Sequence, residues 1–478
     1  IEVHGDRLVG SLCSKVLNHR TDEYGGSFEN RTRYALEVVK AIKEAAPDLM
    51  IEYKLPIITK NADGSLRGKG GLEAEEGVAF AKLLEEAGVD MIQVAQANHT
   101  GNMGDTIPPM GDVDYNWTLP AARAVKKAVS VPVATVGRVI SLEAGEKILE
   151  DQDADIVAYG RSMLADPDIA NKAASGECIR ECLNCNKGCV DAIQGRRYIS
   201  CVLNAENGNE GTVFIKPAEK IKNIAVVGAG IAGLEAARVA AKRGHHVTVY
   251  EKSDKIGGQI HLAAVPPRKS EILRAVTYYE KILPQLNVNI KLNTEAEAEE
   301  LNQYDAVILA VGAHNMALPM PVENSNVVSA WEVLAGKEVQ GSCVVLGGGL
   351  VGTETAEYLA QKGVKVSIVE MMDKIAAGES STVMPLIVKD FEKHEVAQYI
   401  QTKVVSIKNN VIEAVHTPDE APVELKADTI INALGSKKNI FDDAKLTVPF
   451  TYVGDCSGEK TADIASAIRT GYHAANEL

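Results

Sequence analysis

The sequence predicts an α/β protein that combines the C-terminal part of a (β/α)8 TIM barrel, a cysteine-rich segment and two dinucleotide-binding units. Three patterns lead to this prediction. Short apolar runs alternate with helical stretches over residues 1–172, five cysteines fall between residues 178 and 201, and a strand–glycine–helix pattern occurs twice after residue 222. Such alternation is typical of parallel sheets covered by helices.

The composition narrows the class of protein. With 478 residues, of which 46% are hydrophobic, the chain is long enough to bury several cores. Its net charge of −15 argues against a nucleic-acid or anionic-membrane partner, because both bind basic surfaces. No apolar run approaches the ~20 residues needed to cross a bilayer, and no signal peptide is recognisable. We therefore expect a cytoplasmic protein that acts on a small molecule, while the sequence leaves open whether it forms a homo-oligomer.

The first region contains five candidate strands with helical stretches between them. Strands are predicted at 1–5, 50–56, 91–96, 131–137 and 155–161, and helices at 29–45, 73–88, 118–128 and 142–150. Five β/α units do not close a barrel of eight, but they match its last five units. Because the chain also starts with Ile1 instead of Met, we expect a fragment whose barrel domain, residues 1–172, lacks about three N-terminal β/α units.

Two of the candidate strands end in a glycine followed by an arginine, Gly137-Arg138 and Gly160-Arg161. Backbone amides and a guanidinium at the C-terminal end of a barrel suit a phosphate, which the last loops of such barrels often bind. Either arginine alone is more often part of a surface salt bridge. Because two such pairs occur at equivalent strand ends, the sequence favours a phosphate site.

A loop-rich segment follows and carries the motif Cys182-x2-Cys185-x3-Cys189-x11-Cys201. Several soft thiolate ligands on one loop are typical of iron–sulfur clusters. Zinc also accepts four cysteines, but structural zinc sites usually pair two CxxC motifs and this segment has one. We therefore predict a [4Fe–4S] cluster held by these four cysteines, with the neighbouring Cys178 as a structural thiol.

The first dinucleotide motif is Gly228-x-Gly230-x2-Gly233, which follows a predicted strand and opens a helix. Glu251 ends the next strand, 23 residues after Gly228. The glycines allow a tight turn and a close approach of a pyrophosphate to the helix N-terminus, while the carboxylate accepts hydrogen bonds from ribose hydroxyls. Strand, glycines, helix and acid together predict a dinucleotide site.

The second motif, Gly347-x-Gly349-x2-Gly352, repeats this pattern, with Glu370 at the same 23-residue offset. A carboxylate at that position repels a 2′-phosphate, so the second site is expected to prefer NADH over NADPH.

The second dinucleotide unit is expected to be an insertion within the first. Strand-like segments at 305–313 and 428–436 resemble one another, end in a glycine turn and bracket the second motif. The predicted boundaries are 173–215 for the cluster segment, 216–337 and 437–478 for the two parts of the first dinucleotide domain, and 338–436 for the second.

Several motifs are similar, in the same order, to those of one flavoprotein family. They are RTDEYGGSFENR (20–31), VATVGR (133–138), YGRSMLADPD (159–168), CLNCNKGC (182–189), VVGAGIAGLEAA (226–237) and KIGGQIHLA (255–263). Over essentially its whole length the chain resembles the branch of the old-yellow-enzyme-like NADH:flavin oxidoreductases that includes 2,4-dienoyl-CoA reductase, 2-enoate reductase and trimethylamine dehydrogenase.

This resemblance implies four cofactors. FMN would lie in the barrel with a [4Fe–4S] cluster beside it, and a glutathione-reductase-like pair of domains would hold FAD and NADH. Electrons would pass from NADH through FAD and the cluster to FMN, and a hydride from FMN to the substrate. By similarity, Gly258 and Gln259 lie near the FAD ring, and Asp455 contacts its ribityl or phosphate groups.

The resemblance also implies roles for two residues of the barrel. Lys54 stands where the family usually has an arginine at the FMN pyrimidine edge, and it supplies positive charge for the reduced flavin without a bidentate contact. His99 matches a family histidine at the substrate carbonyl, where it would stabilise a developing enolate. Both are therefore predicted to act in catalysis.

The chain departs from the family at residues 4–20. The segment is shorter and lacks a Gly-Tyr-Leu sequence whose tyrosine protonates the substrate carbon in relatives. Arg7 lies where the tyrosine is lost. Because the pKa of arginine exceeds 12, it is a poor acid, and we expect Arg7 to bind a carboxylate or thioester oxygen. The sequence does not identify the proton donor.

These features predict an NADH-dependent reductase of C=C bonds conjugated to a carbonyl, in a 2-enoate, an enoyl-CoA or an enone such as a steroid. Two alternatives remain. An oxidative dehydrogenase or demethylase of the trimethylamine dehydrogenase type is expected to have an aromatic cage for a cation, and Trp117 is the one tryptophan in the barrel region. An FAD–NADH electron-transfer component with an inactive barrel is favoured by the missing tyrosine.

Overall fold

The chain folds into two compact units in a computed structural model. The described residues are 7–96, 103–458 and 463–478, with the backbone of a strand at 2–4. The first unit comprises residues 1–163 and 167–169, and the second comprises residues 164–166 and 170–478. Within the described residues no helix is long and apolar enough to cross a membrane.

The first unit is built on a parallel sheet whose five strands pair in chain order. The strands are β1 (Glu2–His4), β2 (Glu52–Ile57), β3 (Met91–Gln96), β4 (Val133–Thr135) and β5 (Ile156–Val157). The helices are α1 (Leu8–Cys13), α2 (Phe28–Ala45), α3 (Ala74–Glu86), α4 (Met103–Thr106), α5 (Leu119–Lys126), α6 (Leu142–Glu150), α7 (Arg161–Ala165) and α8 (Ile169–Ser175). Each predicted strand and helix of this region overlaps one of these elements.

The two faces of β2 have different neighbours. Tyr53, Leu55 and Ile57 are at most 1% exposed and pack in one core with residues of α2 and α3. Each such fully buried side chain contributes about 1.5–3 kcal/mol. Because successive side chains of a strand alternate between faces, Glu52 and Lys54 lie on the opposite face of the sheet. This face corresponds to the interior of the predicted barrel.

The second unit contains the loop-rich cysteine segment and the first dinucleotide sheet. Its first strands are β6 (Asn223–Val227), β7 (His246–Tyr250), β8 (Asn289–Lys291) and β9 (Ala306–Leu309). Its first helices are α9 (Val190–Gln194), α10 (Ile231–Lys242), α11 (Ile260–Ala263), α12 (Leu273–Gln285), which follows a 3-10 turn at Lys269–Ile272, and α13 (Ala298–Leu301).

The rest of the chain builds the second dinucleotide sheet, a separate four-stranded sheet and a two-stranded ribbon, and then completes the first dinucleotide sheet. The strands are β10 (Ala313–Asn315), β11 (Val322–Glu323), β12 (Val327–Ser329), β13 (Cys343–Leu346), β14 (Val366–Val369), β15 (Ala397–Tyr399), β16 (Thr402–Lys408), β17 (Val411–His416), β18 (Ala421–Lys426), β19 (Thr429–Asn432), β20 (Ser436–Lys438) and β21 (Phe450–Tyr452). The helices are α14 (Ala330–Leu334), α15 (Leu350–Gln361), α16 (Met384–Lys393) and α17 (Ile464–Asn476), with short 3-10 turns at Asp443–Lys445 and Gly454–Cys456.

The two dinucleotide sheets share the arrangement of their first strands and differ in the edge strand, which is last in the chain in the first sheet and first in the second. The strand orders are β8-β7-β6-β9-β21 and β15-β14-β13-β19-β12, so the strand before each glycine motif lies at the centre. The central strands β6 and β13 are buried along nearly their whole length, which explains their continuous apolar runs. This arrangement brings the carboxyl end of each central strand to a crevice where dinucleotides bind.

The second sheet is inserted into the first, as the sequence predicts. The chain leaves the first sheet after β9 and returns to it with β21, which pairs with β9. The two segments that connect the sheets form β10 and β20, which pair with each other in antiparallel fashion. Strand β12 is already an edge strand of the second sheet, although it precedes the predicted boundary at residue 338.

Candidate functional site

The first glycine turn connects β6 to α10. Gly228 has a φ of +100°, and a Cβ atom on it would overlap the carbonyl oxygen of Ala310. A Cβ on Gly233 would overlap the carbonyl oxygen of Gly228, whereas one on Gly230 would meet no atom within 4 Å. Two of the glycines are therefore required by the packing of the turn, and the third leaves open space at the N-terminus of α10, where a pyrophosphate fits.

Glu251 closes this turn from the end of β7. The side chain is 8% exposed, and its two oxygens accept hydrogen bonds from the backbone amides of Ala229 (2.7 Å) and Ser253 (2.8 Å). The hydroxyl of Ser253 donates a third hydrogen bond. Because a carboxylate has about four acceptor positions, one remains for a ribose hydroxyl.

The structure brings the predicted residues around the FAD ring together. Gln259 Nε2 donates a hydrogen bond to Asp455 Oδ2 over 2.8 Å, although 196 residues separate them. A Cβ on the neighbouring Gly258 would lie 3.3 Å from the Cα of Gly230. The Gln259–Asp455 pair therefore lies beside the first glycine turn. The described geometry therefore fits FAD, with the turn at its pyrophosphate.

The second glycine turn repeats the first. Gly347 has a φ of +101°, a Cβ on Gly352 would overlap the carbonyl oxygen of Gly347, and one on Gly349 would meet open space. Glu370 accepts hydrogen bonds from the amides of Gly348 (2.6 Å) and Met372 (2.8 Å). The geometry of this turn and of Glu370 fits a second dinucleotide at the N-terminus of α15.

One cavity of about 1270 Å³ connects the two nucleotide sites. Gly347, Gly349 and Glu370 line one part, and Gln259 and Asp455 line another. Residues predicted to bind NADH and residues predicted to contact FAD therefore line one space. NADH and FAD held by these residues would share this cavity, and NADH would supply a hydride to the flavin.

The cavity also contains a charged residue that the sequence did not indicate. Glu354 lines it from α15 and forms an ion pair with Lys269 over 2.7 Å. Burial raises the pKa of the Glu354 carboxyl, and the charge of Lys269 opposes this rise. In the sequence, the one feature that could have indicated this role is the position of Glu354 two residues after the last glycine of the second motif.

The four predicted cluster cysteines lie on a loop with unusual backbone conformations. Asn184 and Asn186 have φ values of +54° and +61°, and the amide of Asn184 donates to Cys182 Sγ over 3.3 Å. The amide of Ser200 donates to the carbonyl of Gly188 over 2.8 Å. This hydrogen bond joins the two residues that precede Cys189 and Cys201.

The four thiols are close enough to influence one another. Burial raises the pKa of Cys185, and the neighbouring Cys182, Cys201 and Cys189 raise it further. Burial likewise raises the pKa of Cys201 to about 11. Such thiols become thiolates when they bind a metal group, so the donor set fits a cluster. In the described part of the chain no group of three His, Cys, Asp or Glu residues is arranged to hold a single metal ion; a cluster spreads its ligands over several irons.

In the barrel unit, Lys54 lies beside a polar pair on the inner face of the sheet. In the register of β2 and β3 it is opposite Gln93, whose side chain donates to Glu52 over 2.8 Å. Lys54 itself is partly buried. Arg7 is exposed and precedes α1, and its carbonyl accepts a hydrogen bond from the amide of Ser11. His99 lies outside the described residues.

The two glycine–arginine pairs meet at one loop. Arg138 donates to the carbonyl of Pro109 over 2.5 Å, and Arg161 to that of Pro108 over 3.0 Å. The two guanidinium groups therefore lie at the same end of the sheet and hold the loop before α5. A Cβ on Gly160 would meet no atom within 4 Å.

Trp117 adds a donor to this end of the barrel. Its Nε1 is buried and has no hydrogen-bond partner within the described stretches, and it would lie 3.2 Å from a Cβ on Gly137. A buried donor without an acceptor is rare. An acceptor of a bound ligand would satisfy this donor, and with Arg138 and Arg161 at the same end of the sheet the residues present fit the predicted phosphate.

Comparisons with known proteins agree with this arrangement. Residues 1–178 match the NADH:flavin oxidoreductase / NADH oxidase family. Residues 134–300 and 222–451 match the pyridine nucleotide-disulphide oxidoreductase family. The second match includes both glycine turns.

Several relatives align with the whole chain. A protein named bilirubin reductase from Mediterraneibacter gnavus is 51% identical over 100% of this chain and 75% of its own length. A cinnamate reductase from Clostridium sporogenes is 34% identical over 100% of this chain and 73% of its own length. Among solved structures, a 2-naphthoyl-CoA reductase complex superposes with a TM-score of 0.88 at 28% identity, covering 100% of this chain and 73% of that protein.

These findings confirm the predicted fold, an oxidoreductase activity on C=C bonds conjugated to a carbonyl, and the cofactors FMN, FAD, NADH and a [4Fe–4S] cluster. They also favour the reductase over the two alternatives, because the relatives above are named as reductases. The chain belongs to the NADH:flavin oxidoreductase / NADH oxidase family, in the branch that includes 2,4-dienoyl-CoA reductase.

Proposed function

We propose that the substrate is bilirubin or a similar linear tetrapyrrole, reduced at a C=C bond with electrons from NADH. The observation that carries this proposal is the 51% identity, over all of this chain, with the bilirubin reductase of M. gnavus. Bilirubin contains methine C=C bonds conjugated to lactam carbonyls and therefore belongs to the chemical class that the sequence predicts. Cinnamate, a simple aryl enoate, is the substrate suggested by the more distant relative at 34% identity.

The nucleotide residues are proposed to act in two matched sets. Gly347, Gly349, Gly352 and Glu370 bind NADH, with the pyrophosphate at the N-terminus of α15. The residues proposed for FAD are Gly228, Gly230, Gly233, Glu251, Gly258, Gln259 and Asp455. The shared cavity supports this assignment, because its lining residues come from both sets.

Cys182, Cys185, Cys189 and Cys201 are proposed to be the cluster ligands. An iron–sulfur cluster supplies one-electron transfer between two flavins, each of which also handles electrons in pairs. The role of the chain is to hold the four thiolates on one loop. The hydrogen bond between Gly188 and Ser200 fixes the spacing of the last two ligands.

In the barrel, Gly137, Arg138, Gly160 and Arg161 are proposed to hold the FMN phosphate. Lys54 places a positive charge on the inner face of the sheet, where it would stabilise a reduced, anionic flavin.

Two residues are proposed to contact the substrate. His99 would donate a hydrogen bond to the carbonyl oxygen conjugated to the C=C bond. Arg7, an exposed guanidinium, would bind a carboxylate, and bilirubin carries two propionates. This role also accounts for the replacement of the family tyrosine by a residue that cannot act as an acid.

We further propose a cytoplasmic protein with a small-molecule substrate and no nucleic-acid partner. All eight cysteines are free of disulfides, as is usual in a reducing compartment, and the net charge of −15 disfavours binding to nucleic acid.

The test is an anaerobic assay of the purified, flavin- and cluster-loaded protein with NADH and a panel of bilirubin, cinnamate, an enoyl-CoA and a cyclic enone. Bilirubin is expected to give the highest kcat/KM, with NADH consumed in proportion to bilirubin lost. Faster turnover of cinnamate would replace the tetrapyrrole with the enoate. Oxidation of NADH without loss of any of these substrates would contradict the proposal.

A further inference from the structure

A buried network joins the cluster loop to the start of helix α12. Arg274 donates one hydrogen bond to the carbonyl oxygen of Cys182 and another to the carboxylate of Glu271. The side-chain amide of Asn184 donates to the same carboxylate oxygen over 3.0 Å. The loop between the first two proposed ligands, Cys182 and Cys185, is therefore bound at two points by one ion pair.

The network is largely shielded from solvent. Asn184 is 2% exposed and Glu271 is 8% exposed, and the side chain of Arg274 is 13% exposed. Two opposite charges in such a position cost desolvation energy that their attraction offsets only in part. Because screening by water is weak there, each charge has a strong effect on its surroundings.

The two charged groups differ in how directly they contact the cluster loop. The guanidinium is hydrogen-bonded to the backbone of Cys182 itself, whereas Glu271 reaches the loop through Asn184. A reduced cluster carries one more negative charge than an oxidised one. A nearby cation therefore favours reduction, and a nearby carboxylate disfavours it.

We propose that Arg274 and Glu271 are positioning residues for the iron–sulfur cluster, which hold the Cys182 loop and set the reduction potential of the cluster with their opposed charges. The inference rests on the proposed cluster ligands and concerns how readily the cluster accepts an electron. It does not depend on which substrate the barrel reduces.

The test compares two charge-removing variants, Arg274→Gln and Glu271→Gln, in the purified holoprotein. Reduction is followed by potentiometric titration with electron paramagnetic resonance of the reduced cluster, and iron and sulfide are counted in each sample. Arg274→Gln removes the positive charge and leaves the negative charge of Glu271 unbalanced within this ion pair, so the potential is expected to fall. Glu271→Gln removes the negative charge and keeps the positive charge of Arg274 at the loop, so the potential is expected to rise. We expect at least a tenfold change in the one-electron equilibrium in each direction, which corresponds to about 59 mV.

Arg268→Gln is the matched control. Arg268 precedes the 3-10 turn that contains Glu271, and its side chain is 15% exposed. It pairs instead with Glu357 on α15 and Asp390 on α16. This variant is expected to leave the potential of the cluster unchanged. If it shifts the potential as much as Arg274→Gln does, the proposal is overturned, because the effect then comes from disturbing the turn.

The sign of the shift separates an electrostatic role from a structural one. A shift in the same direction in both variants, or no shift in either, overturns the proposal. If Arg274→Gln loses the cluster, Arg274→Lys keeps the charge and is expected to restore iron content, and Glu271→Gln still has to raise the potential. Cys182→Ser tests the ligand assignment separately: full cluster content in that variant would remove the assignment on which the inference rests.

Discussion

The two glycines Gly349 and Gly352 should respond to the same substitution in different ways. Both belong to the second glycine turn, and alanine adds one methyl group to each. At Gly349 the added carbon has no atom within 4 Å, and the φ of −66° suits alanine. At Gly352 it falls well inside 3.0 Å of the carbonyl oxygen of Gly347, which is backbone and cannot rotate away.

The expected magnitudes follow from these surroundings. Forcing a methyl group into a packed site costs about 1–3 kcal/mol, and a clash with backbone places Gly352→Ala at the upper end, about 3 kcal/mol of unfolding free energy. Gly349→Ala should cost about 0.5–1 kcal/mol, because alanine is a poorer N-cap residue than glycine. The methyl group added at position 349 occupies the space proposed for the pyrophosphate. The affinity for NADH is therefore expected to fall about tenfold, or 1.4 kcal/mol.

Two measurements check this prediction. Urea unfolding followed by circular dichroism gives the free energy of unfolding of each variant, and isothermal calorimetry gives the affinity for NAD⁺. Gly230→Ala, at the equivalent open position of the first turn, is the matched control and is expected to lower FAD content while leaving NAD⁺ affinity unchanged.

Either of two results would contradict these expectations. If Gly349→Ala binds NAD⁺ as tightly as the unmodified protein, the open space does not receive the pyrophosphate. If Gly352→Ala is as stable as the unmodified protein, the close approach of α15 to the turn does not constrain that residue.

Three further predictions concern charged residues. Glu370→Gln keeps an acceptor for the amide of Gly348 but removes the charge, so the ratio of kcat/KM for NADPH to that for NADH is expected to rise about tenfold in steady-state assays. Arg7→Gln removes a charged hydrogen bond worth about 1.5 kcal/mol or more, so KM for bilirubin is expected to rise about tenfold, with KM for a neutral cyclic enone unchanged as the control. Burial raises the pKa of Glu357 from 4.5 to about 7. The folded protein therefore binds this proton more tightly than the unfolded chain, and the stabilisation it gives is complete below pH 4.5 and lost as the pH rises through about 7. In Glu357→Gln, urea unfolding across this range is expected to depend less on pH.

Each of these predictions has a result that contradicts it. An unchanged coenzyme ratio in Glu370→Gln would mean that this carboxylate does not face the 2′ position. Equal increases in KM for bilirubin and for the enone in Arg7→Gln would point to a general disturbance of the barrel. An identical pH slope in Glu357→Gln would assign the pH dependence to other groups.

The elements that the sequence predicts well are those determined by local patterns. Strand β3 spans Met91–Gln96, as predicted, because its apolar run follows a turn at residues 87–88. The glycine turns were also predictable, since the positive φ of Gly228 and Gly347 and the close approaches of Gly233 and Gly352 are required by a turn that recurs with fixed spacing.

The features that the sequence does not reveal depend on contacts between distant residues. Glu354 meets Lys269 across 85 positions of the chain, and Arg274 reaches Cys182 across 92. No periodicity or spacing encodes such pairs, because they arise only when separate elements pack together. The same holds for Arg138 and Arg161, which reach the neighbouring carbonyls of Pro109 and Pro108 because the ends of β4 and β5 pack against one loop.

The paired strands β10 and β20 make the NADH-binding domain a detachable module. Ala313 is opposite Lys438 and Asn315 is opposite Ser436, so the chain enters and leaves the domain at points about one strand spacing, roughly 5 Å, apart. A two-residue hairpin turn is long enough to bridge that gap. In chain connectivity, gain, loss or exchange of this domain is therefore equivalent to a change in the length of a single loop, while in packing it also removes the partners of Arg268 and Lys269.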